Sequence, residues 1–337
     1  MGLIDIYKRM RSEGYLKEVY EGKYAFVGLG QHSLSNLYPV IHYLQIPLKY
    51  ICVTSPEKAA LISKKFSGVI GTADLDAVLE DSEVKGVFVA ASPSAHFGIA
   101  QKVLRSGKAL FIEKPPCASG QELETLISLN KGIAVVGLQK RYAPAVRLLR
   151  KKLSREKILS YDLHYCTGAY PEGNALTDLY IHPLDLACHL FGSAEIVACE
   201  KVGADSYLLM LRHNGVTGTL ELSTRYSWTD AQDTLRVNTG AGVYELDRCE
   251  RLTLALKPAV IAGVPLEKAG LGRAGTRVLF ERNGFSPVLS QNQVFTGGFF
   301  DEIRDFALRA GGRSADSLSD LPSLRDLYSL LDTLSKY

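Results

Sequence analysis

The hydrophobic pattern of the chain changes character once along its length. Residues 23–137 alternate short, continuously apolar runs with stretches whose apolar residues recur at helical spacing. Continuous apolar strands that alternate with helices are typical of a parallel sheet covered on both faces. We therefore predict a doubly wound α/β domain over residues 1–137, which begins with a helical leader at 1–22.

The pattern after about residue 150 is different, because many apolar residues there alternate with polar ones. The turn His213-Asn214-Gly215 is typical of a tight hairpin between two strands. We predict an α+β domain with a mostly antiparallel open sheet over residues 138–337, and a C-terminal helix that packs back on the first domain. The predicted strands are 158–165, 196–202, 207–213, 215–223, 234–239 and 242–246, and the predicted helices are 184–190, 299–310 and 317–335.

Composition and charge narrow the function classes. The 337 residues carry a formal net charge of only +3, so we expect neither nucleic acid nor a membrane as a partner. The N-terminus is charged throughout and no apolar run reaches the length of a bilayer span, which argues against a signal peptide and a transmembrane helix. The six cysteines show neither a C-x-x-C pair nor a zinc-type spacing. We expect no metal site, and reduced thiols in a cytoplasmic protein.

A glycine turn follows the first predicted strand and opens a helix. In Gly28-Leu29-Gly30, the first glycine permits a tight turn and the second lets the backbone approach a pyrophosphate at the helix N-terminus. Ser33 occupies the place of a third glycine. A plain strand-to-helix turn is the alternative, but the context favours a Rossmann-type dinucleotide site that includes Gly28, Gly30, Gln31 and Ser33.

The end of the second predicted strand bears on the choice of cofactor. It lacks the Asp or Glu that would bind a ribose 2′-hydroxyl. Thr54 and Ser55 can donate to a 2′-phosphate and Lys58 can pair with it, which favours NADP over NAD. The alternative is that Glu57 takes the acid's role, although an acid is favoured at the start of a helix in any case.

Two further segments carry candidate acid–base residues. Glu113-Lys114-Pro115 ends a strand at the carboxyl edge of the predicted sheet, where ligands bind in such folds. Asp178 and His182 are four residues apart and would share a helical face, and Asp185 could hold the other imidazole nitrogen of His182. By spacing alone, a surface lysine and a structural histidine remain open alternatives.

Taken together, these motifs resemble the glucose–fructose oxidoreductase, inositol dehydrogenase and MocA family. The resemblance covers roughly residues 23–310, and the Glu-Lys-Pro motif with the Asp/His pair is its more specific part. The matching segments are Val27-Gly28-Leu29-Gly30, Ala91-Ser92-Pro93-Ser94-Ala95-His96, Glu113-Lys114-Pro115, residues 137–144 and the run from Asp178 through His182 to Asp185.

The resemblance implies roles for these residues. Lys114 would bind the reacting hydroxyl and the nicotinamide ribose, His182 would act as general base, and Asp178 would support His182 or bind substrate. Tyr180 stands where a small residue is usual, which predicts a narrowed or aromatic pocket. The remaining implied contacts are Ser92, Pro93, His96, Glu113 and Arg141 with the cofactor, and Tyr142, Tyr180 and Asp185 with the substrate or with the residues that hold it.

We therefore expect an NAD(P)-dependent oxidoreductase that acts on a sugar, polyol or related carbonyl compound. One alternative is a glycoside hydrolase that retains its NAD, and another is a ligand sensor on the same fold. Lys114, Asp178 and His182 are all present, which disfavours the sensor. The second domain offers few helices to cover its sheet, so we also expect a homodimer or homotetramer.

Overall fold

The structure is a computed structural model that describes residues 2–16, 18–271, 275–286 and 288–337. Its contacts divide the chain into two compact units. The predicted boundary at 137–138 coincides with one crossing point between them, but residues Glu302–Asp320 return to the first unit. The first unit is Met1–Pro116, Thr125–Gly137 and Glu302–Asp320, and the second is Cys117–Glu124, Leu138–Asp301 and Leu321–Tyr337.

The first unit contains a six-stranded, fully parallel sheet in the order β3-β2-β1-β4-β5-β6, which confirms the predicted Rossmann-type domain. Its strands are β1 Lys23–Val27, β2 Leu48–Cys52, β3 Ile70–Thr72, β4 Val84–Val89, β5 Ala109–Glu113 and β6 Ala134–Gly137. The helices are α1 Leu3–Leu16, α2 Tyr38–Tyr43, α3 Pro56–Lys65, α4 Leu75–Glu80, α5 Pro93–Arg105 and α6 Gly120–Leu129, the last of which crosses into the second unit.

An aromatic cluster explains why the returning segment joins this sheet. The rings of Phe88 and Phe306 meet edge to face with centroids 4.9 Å apart, and Phe111 packs beside them. The Tyr24 hydroxyl donates a hydrogen bond to the Ala307 carbonyl at 2.8 Å. Buried aromatic pairs of this kind add stabilisation beyond the area they bury, so they anchor residues 302–320 on the sheet.

The second unit confirms the predicted α+β domain with a mostly antiparallel sheet. Eight strands lie in the order β16-β13-β12-β11-β7-β10-β9-β8, and one pair, β7 with β10, is parallel. The strands are β7 Ile158–Cys166, β8 Ala194–Lys201, β9 Tyr207–His213, β10 Val216–Ser223, β11 Gln232–Thr239, β12 Gly242–Asp247, β13 Arg251–Leu256 and β16 Thr276–Glu281, with a separate hairpin of β14 Val260–Ile261 and β15 Val264–Pro265. The helices are α7 Pro144–Leu153, α8 Ile181–Phe191, α9 Gln293–Thr296 and α11 Arg325–Leu334, while α10 Phe299–Ala310 begins in this unit and belongs to the first unit from Glu302 onward.

The two faces of this sheet differ in what covers them. On β9 the burial alternates, so that Leu209 and Leu211 are buried while Leu208 and Met210 are 48% and 39% exposed. Phe191 of α8 stacks on Tyr161 of the buried face at 4.2 Å between centroids. The last helix, α11, was expected on the first domain, but it packs on α8 and β8 through buried leucines on one side. We call the exposed face of the sheet the outer face.

Candidate functional site

A cavity of about 630 Å³ lies at the carboxyl ends of β1, β2 and β4 in the first unit. β1 lies between β2 and β4, the point at which the strand order reverses and where ligands bind in doubly wound sheets. Seven of the predicted cofactor residues line it, namely Gly28, Gly30, Gln31, Ser33, Thr54, Lys58 and Ser92. The other lining residues were not among the predicted cofactor contacts, and they include Leu29, His32, Val53, Ala73, Leu75, Ala95 and Ile99.

The two glycines of the turn have different functions. Gly28 has a φ of +87°, and a Cβ atom there would lie 2.6 Å from the Ala90 carbonyl oxygen, so the backbone requires glycine. At Gly30 a Cβ atom would meet nothing within 4 Å and would stand in the cavity. The turn thus keeps backbone at the cavity wall free of side chains, which fits a pyrophosphate held by peptide N–H groups.

Ser33, in place of the third glycine, stabilises the turn from within. The Gly30 N–H donates to the Ser33 Oγ at 2.9 Å, and the Ser33 hydroxyl donates to the Gly30 carbonyl at 2.9 Å. The side chain is almost fully buried and begins a π-helical turn, Ser33–Leu37. The structure therefore assigns the Ser33 hydroxyl to the turn itself.

The end of β2 presents a cation to the cavity. Thr54 and Lys58 line it, and no carboxylate side chain occurs among the described residues that form its wall. Ser55 is not part of that wall, because its hydroxyl caps α3 by accepting the Lys58 N–H at 3.2 Å. A backbone hydrogen bond in the first turn of α3, together with the Ser55 hydroxyl, lowers the pKa of Glu57.

His96 has a positioning role rather than a direct contact with the cavity. It is 1% exposed, with Nδ1 at 2.8 Å from the Pro115 carbonyl and Nε2 at 3.0 Å from the Ala91 carbonyl. Burial lowers the pKa of His96, although the two carbonyls and Glu113 oppose this effect. The imidazole thereby connects the end of β4 to the Lys114-Pro115 loop, while Pro93 supplies the first turn of α5.

Glu113 and Lys114 follow each other at the carboxyl end of β5. The Glu113 carboxylate is 5% exposed, and its Oε1 lies 3.4 Å from His32 Nε2. Its Oε2 accepts the Lys114 backbone N–H at 3.3 Å. A Cβ atom at Gly137 would lie 2.9 Å from the Glu113 Cδ, so the neighbouring strand leaves room for this carboxylate. Lys114 is half-buried, and its peptide bond to Pro115 is cis.

In the second unit, Asp178 and His182 lie on one continuous helical run. A π-helical turn, Leu176–Tyr180, continues directly into α8, and both side chains are half-buried. The Asp178 carboxylate accepts hydrogen bonds from the Asn174 N–H at 3.0 Å and from the Thr177 hydroxyl at 3.2 Å. π-Helical turns recur at functional sites, and one occurs here and another at the glycine turn.

Asp185 does not support His182, because Arg141 takes its carboxylate. The Arg141 Nε donates to the two Asp185 carboxylate oxygens at 3.1 and 2.9 Å, and both side chains are at most 3% exposed. The Arg141 Nη1 also donates to the Ser323 hydroxyl at 2.8 Å. A buried guanidinium requires such a partner, so these residues anchor the 139–142 turn to α8.

Tyr142 and Tyr180 are core residues of the second unit. Both side chains are fully buried. The Tyr180 hydroxyl donates to the Asp205 carbonyl, and its ring packs edge-on against Tyr165 and Tyr207. The expectation that Tyr180 narrows a substrate pocket is therefore wrong, because a large aromatic side chain with a satisfied hydroxyl packs stably in the interior.

In comparisons with known proteins, the match to a protein family falls mainly on the first unit. Residues 22–148 match an oxidoreductase family with an NAD-binding Rossmann fold, which confirms the resemblance for the motifs within that range. An uncharacterised Escherichia coli oxidoreductase, YhhX, is 28% identical over 52% of this chain and 55% of its own length. The levoglucosan dehydrogenase of Pseudarthrobacter phenanthrenivorans is 26% identical over 44% of each chain. The chain thus spans about half the length of the curated relatives it matches.

The likeness of fold extends further than the likeness of sequence. A solved levoglucosan dehydrogenase in complex with NADH has a TM-score of 0.76 and 20% identity, over 94% of this chain and 96% of that one. At that identity the comparison shows the fold alone. Across the residues that the structure describes, every helix is too short or too polar to span a bilayer.

Proposed function

We propose that this protein is an NAD(P)-dependent oxidoreductase that acts on a hydroxyl or carbonyl group of a sugar, polyol or related compound. The observation that carries the proposal is the cavity at the carboxyl end of β1, where Gly30 leaves room for a pyrophosphate. The match of residues 22–148 to an NAD-binding oxidoreductase family supports it. Similarity to a levoglucosan dehydrogenase and to an inositol 2-dehydrogenase supports the substrate class.

The proposed roles of the acid–base residues are those that the family resemblance implies. When bound, the nicotinamide accepts or supplies the hydride. Lys114 binds the reacting oxygen through its ammonium group, and this charge lowers the pKa of a substrate hydroxyl. His182 takes the hydroxyl proton as general base in oxidation and returns it in reduction. Asp178, held by the Asn174 N–H and the Thr177 hydroxyl, supports that function.

Substitution of Lys114 by alanine tests this mechanism. We expect Lys114→Ala to lower kcat/KM by about 100-fold or more while the dissociation constant for NADPH changes little. Lys131→Ala, which removes an exposed lysine beyond α6, is the matched control and should keep full turnover. Unchanged turnover in Lys114→Ala would contradict the proposed role.

We further propose that the protein prefers NADP to NAD. Lys58 is the cation at the end of β2, and no carboxylate faces it among the described lining residues. Lys58→Gln should weaken NADPH binding by about tenfold, or about 1.4 kcal/mol, and leave NADH binding almost unchanged. Lys64→Gln, near the end of the same helix, is the control. Tighter binding of NADH than of NADPH by the wild-type protein would refute the preference.

The assembly and the compartment are also proposals. We propose a homodimer or homotetramer, supported by the exposed apolar side chains on the outer face of the eight-stranded sheet. We also propose a cytoplasmic location, supported by six free thiols, five of which are buried. Detection of the protein in a fractionated cell, by antibody, tests the location.

A further inference from the structure

Three side chains with metal-binding atoms converge on the outer face of the sheet, in the second unit. His164 and Cys166 are two residues apart on β7, so they lie on the same side of the strand. Glu221 of β10 lies directly opposite His164 in the parallel register. We propose that the imidazole of His164, the thiolate of Cys166 and the carboxylate of Glu221 bind a divalent transition-metal ion, with zinc as the expected species.

The distances agree with this assignment. His164 Nδ1 and Glu221 Oε2 are 3.3 Å apart, and the nearest donor atoms of all three residues lie within 4.8 Å of one another. Bonds of about 2.05 Å in a tetrahedral zinc site separate nitrogen and oxygen ligands by about 3.3 Å, and nitrogen and sulfur by about 3.6 Å. The nitrogen and oxygen are therefore already spaced for the ion, and the sulfur needs to approach by at most about 1.2 Å.

Neighbouring residues hold the ligands as they are held in established metal sites. The Asp162 Oδ2 lies 2.7 Å from His164 Nε2, the ring nitrogen that faces away from Glu221. Asp162 in turn accepts the Thr219 hydroxyl at 2.7 Å. A carboxylate on the second imidazole nitrogen fixes the orientation of a ligating histidine. The Tyr226 hydroxyl donates to Glu221 Oε1 at 3.0 Å, which leaves Oε2 directed at His164.

The site also has an entry path. Asp162, His164 and Glu221 line a cavity of about 460 Å³ that opens between the strands of the outer face. A metal ion can reach the three ligands from this cavity before the outer face associates, and water can fill the fourth position. Cys166 lies beneath and is fully buried. Burial raises the pKa of its thiol to about 12, and a bound cation opposes that effect because it favours the thiolate.

The proposed metal site could not be recognised from the spacing of the cysteines in the sequence. Zinc motifs are recognised by pairs of cysteines or histidines in short turns, and the chain has no such pair. Here two ligands share one strand face, and the third comes from a strand more than fifty residues later that pairs with it in parallel. Strand pairing brings the three together, and strand pairing is not visible in local spacing.

Cobalt substitution of the full-length protein tests the site. After treatment with a chelator, the protein should bind one equivalent of Co²⁺ with a thiolate-to-cobalt charge-transfer band. Cys166→Ser should lose this band, whereas Cys199→Ser, which removes a half-buried thiol of β8 nearby, should keep it. Thermal unfolding of each variant verifies that it remains folded.

Competition between the protein and a chromophoric chelator for Zn²⁺ provides the second measurement. Glu221→Gln should weaken zinc binding by at least tenfold. Asp162→Asn, which removes the carboxylate on His164 Nε2 but no proposed ligand, should weaken it by roughly 10–100-fold. A wild-type protein that binds no stoichiometric Co²⁺, a charge-transfer band that persists in Cys166→Ser, or one that disappears in Cys199→Ser would overturn the proposal.

Discussion

At the scale of single residues, the two glycines of the glycine turn differ in what the fold requires of them, although the sequence motif treats them alike. Gly28 is required by the backbone, since its φ of +87° and its contact with the Ala90 carbonyl exclude a side chain. Gly30 is required by no contact of the fold, because its missing Cβ would stand in open space at the cavity wall. We therefore expect any requirement for glycine at position 30 to come from a bound ligand.

Replacement of Gly30 by valine separates binding from folding. We expect Gly30→Val to weaken NADPH binding by at least tenfold, about 1.4 kcal/mol, because its side chain occupies the pyrophosphate position. The melting temperature should change by only a few degrees. Isothermal titration calorimetry and thermal unfolding measure the two effects. Gly98→Val, which also adds a side chain in open space, is the control and should bind NADPH normally. Normal binding by Gly30→Val would place the cofactor elsewhere.

The sequence alone was enough to predict those cavity-lining residues that lie at the end of a strand or in a turn. Gly28, Gly30, Thr54, Lys58 and Ser92 all line it. Their positions follow from a general rule, because the carboxyl ends of parallel strands meet at one edge. His32 was missed, and only its place in the first turn after Gly30 could have indicated it. The Ser55 hydroxyl caps helix α3, and residue spacing alone does not determine this side-chain orientation.

At the scale of elements, the buried pair of Arg141 and Asp185 fixes helix α8 to the 139–142 turn. Removal of one partner leaves an uncompensated buried charge, so Asp185→Ala should lower the free energy of unfolding by about 3–5 kcal/mol. Asp76→Ala breaks the exposed pair with Lys102 and should cost at most about 1 kcal/mol. Urea unfolding measures both. Equal losses in the two variants would contradict the structural role of the buried pair.

The prediction of elements was most successful where a single strand or helix carried its own signal. The hairpin of β9 and β10 follows from Asn214-Gly215 and from the alternation on both strands. Strands β3, β13 and β16 and helix α7 were not predicted. The parallel pairing of β7 with β10 inside an antiparallel sheet depends on the course of the chain between them, which local pattern does not encode.

At the scale of the whole molecule, the buried His96 and His213 and the half-buried His189 make the fold sensitive to acid. Burial is the largest cause that lowers the pKa of His96, His189 and His213, and together with the charges of Arg141 and Arg150 it lowers that of His189 to about 3. The unfolded chain takes up protons on these imidazoles below pH 6.5, whereas the folded chain does so only at lower pH. Stability is therefore present above that pH and falls as the pH decreases.

The contribution of His189 can be measured separately. Its Nε2 is buried, without a hydrogen-bond partner among the described residues. Between pH 6.5 and 5, protonation of this group in the unfolded chain should lower the free energy of unfolding by about 2 kcal/mol. This follows from 1.36 kcal/mol for each pH unit. His189→Phe should lose less stability over that interval, in urea unfolding at each pH. The control is His42→Phe, which removes an exposed imidazole of α2. An unchanged pH dependence in His189→Phe would refute this assignment.

The outer face bears on the last property of the whole molecule, its assembly. Alternation of burial leaves Leu208 and Met210 of β9 exposed, and an exposed apolar sheet face of this kind favours association. Light scattering of the wild-type protein should give at least twice the chain mass of 36.9 kDa. Leu208→Glu should shift the protein towards monomer, because association would bury an unpaired carboxylate. Leu61→Glu, on an exposed position of α3, should leave the mass unchanged. A wild-type protein that remains at the mass of one chain would show that the outer face has a different function.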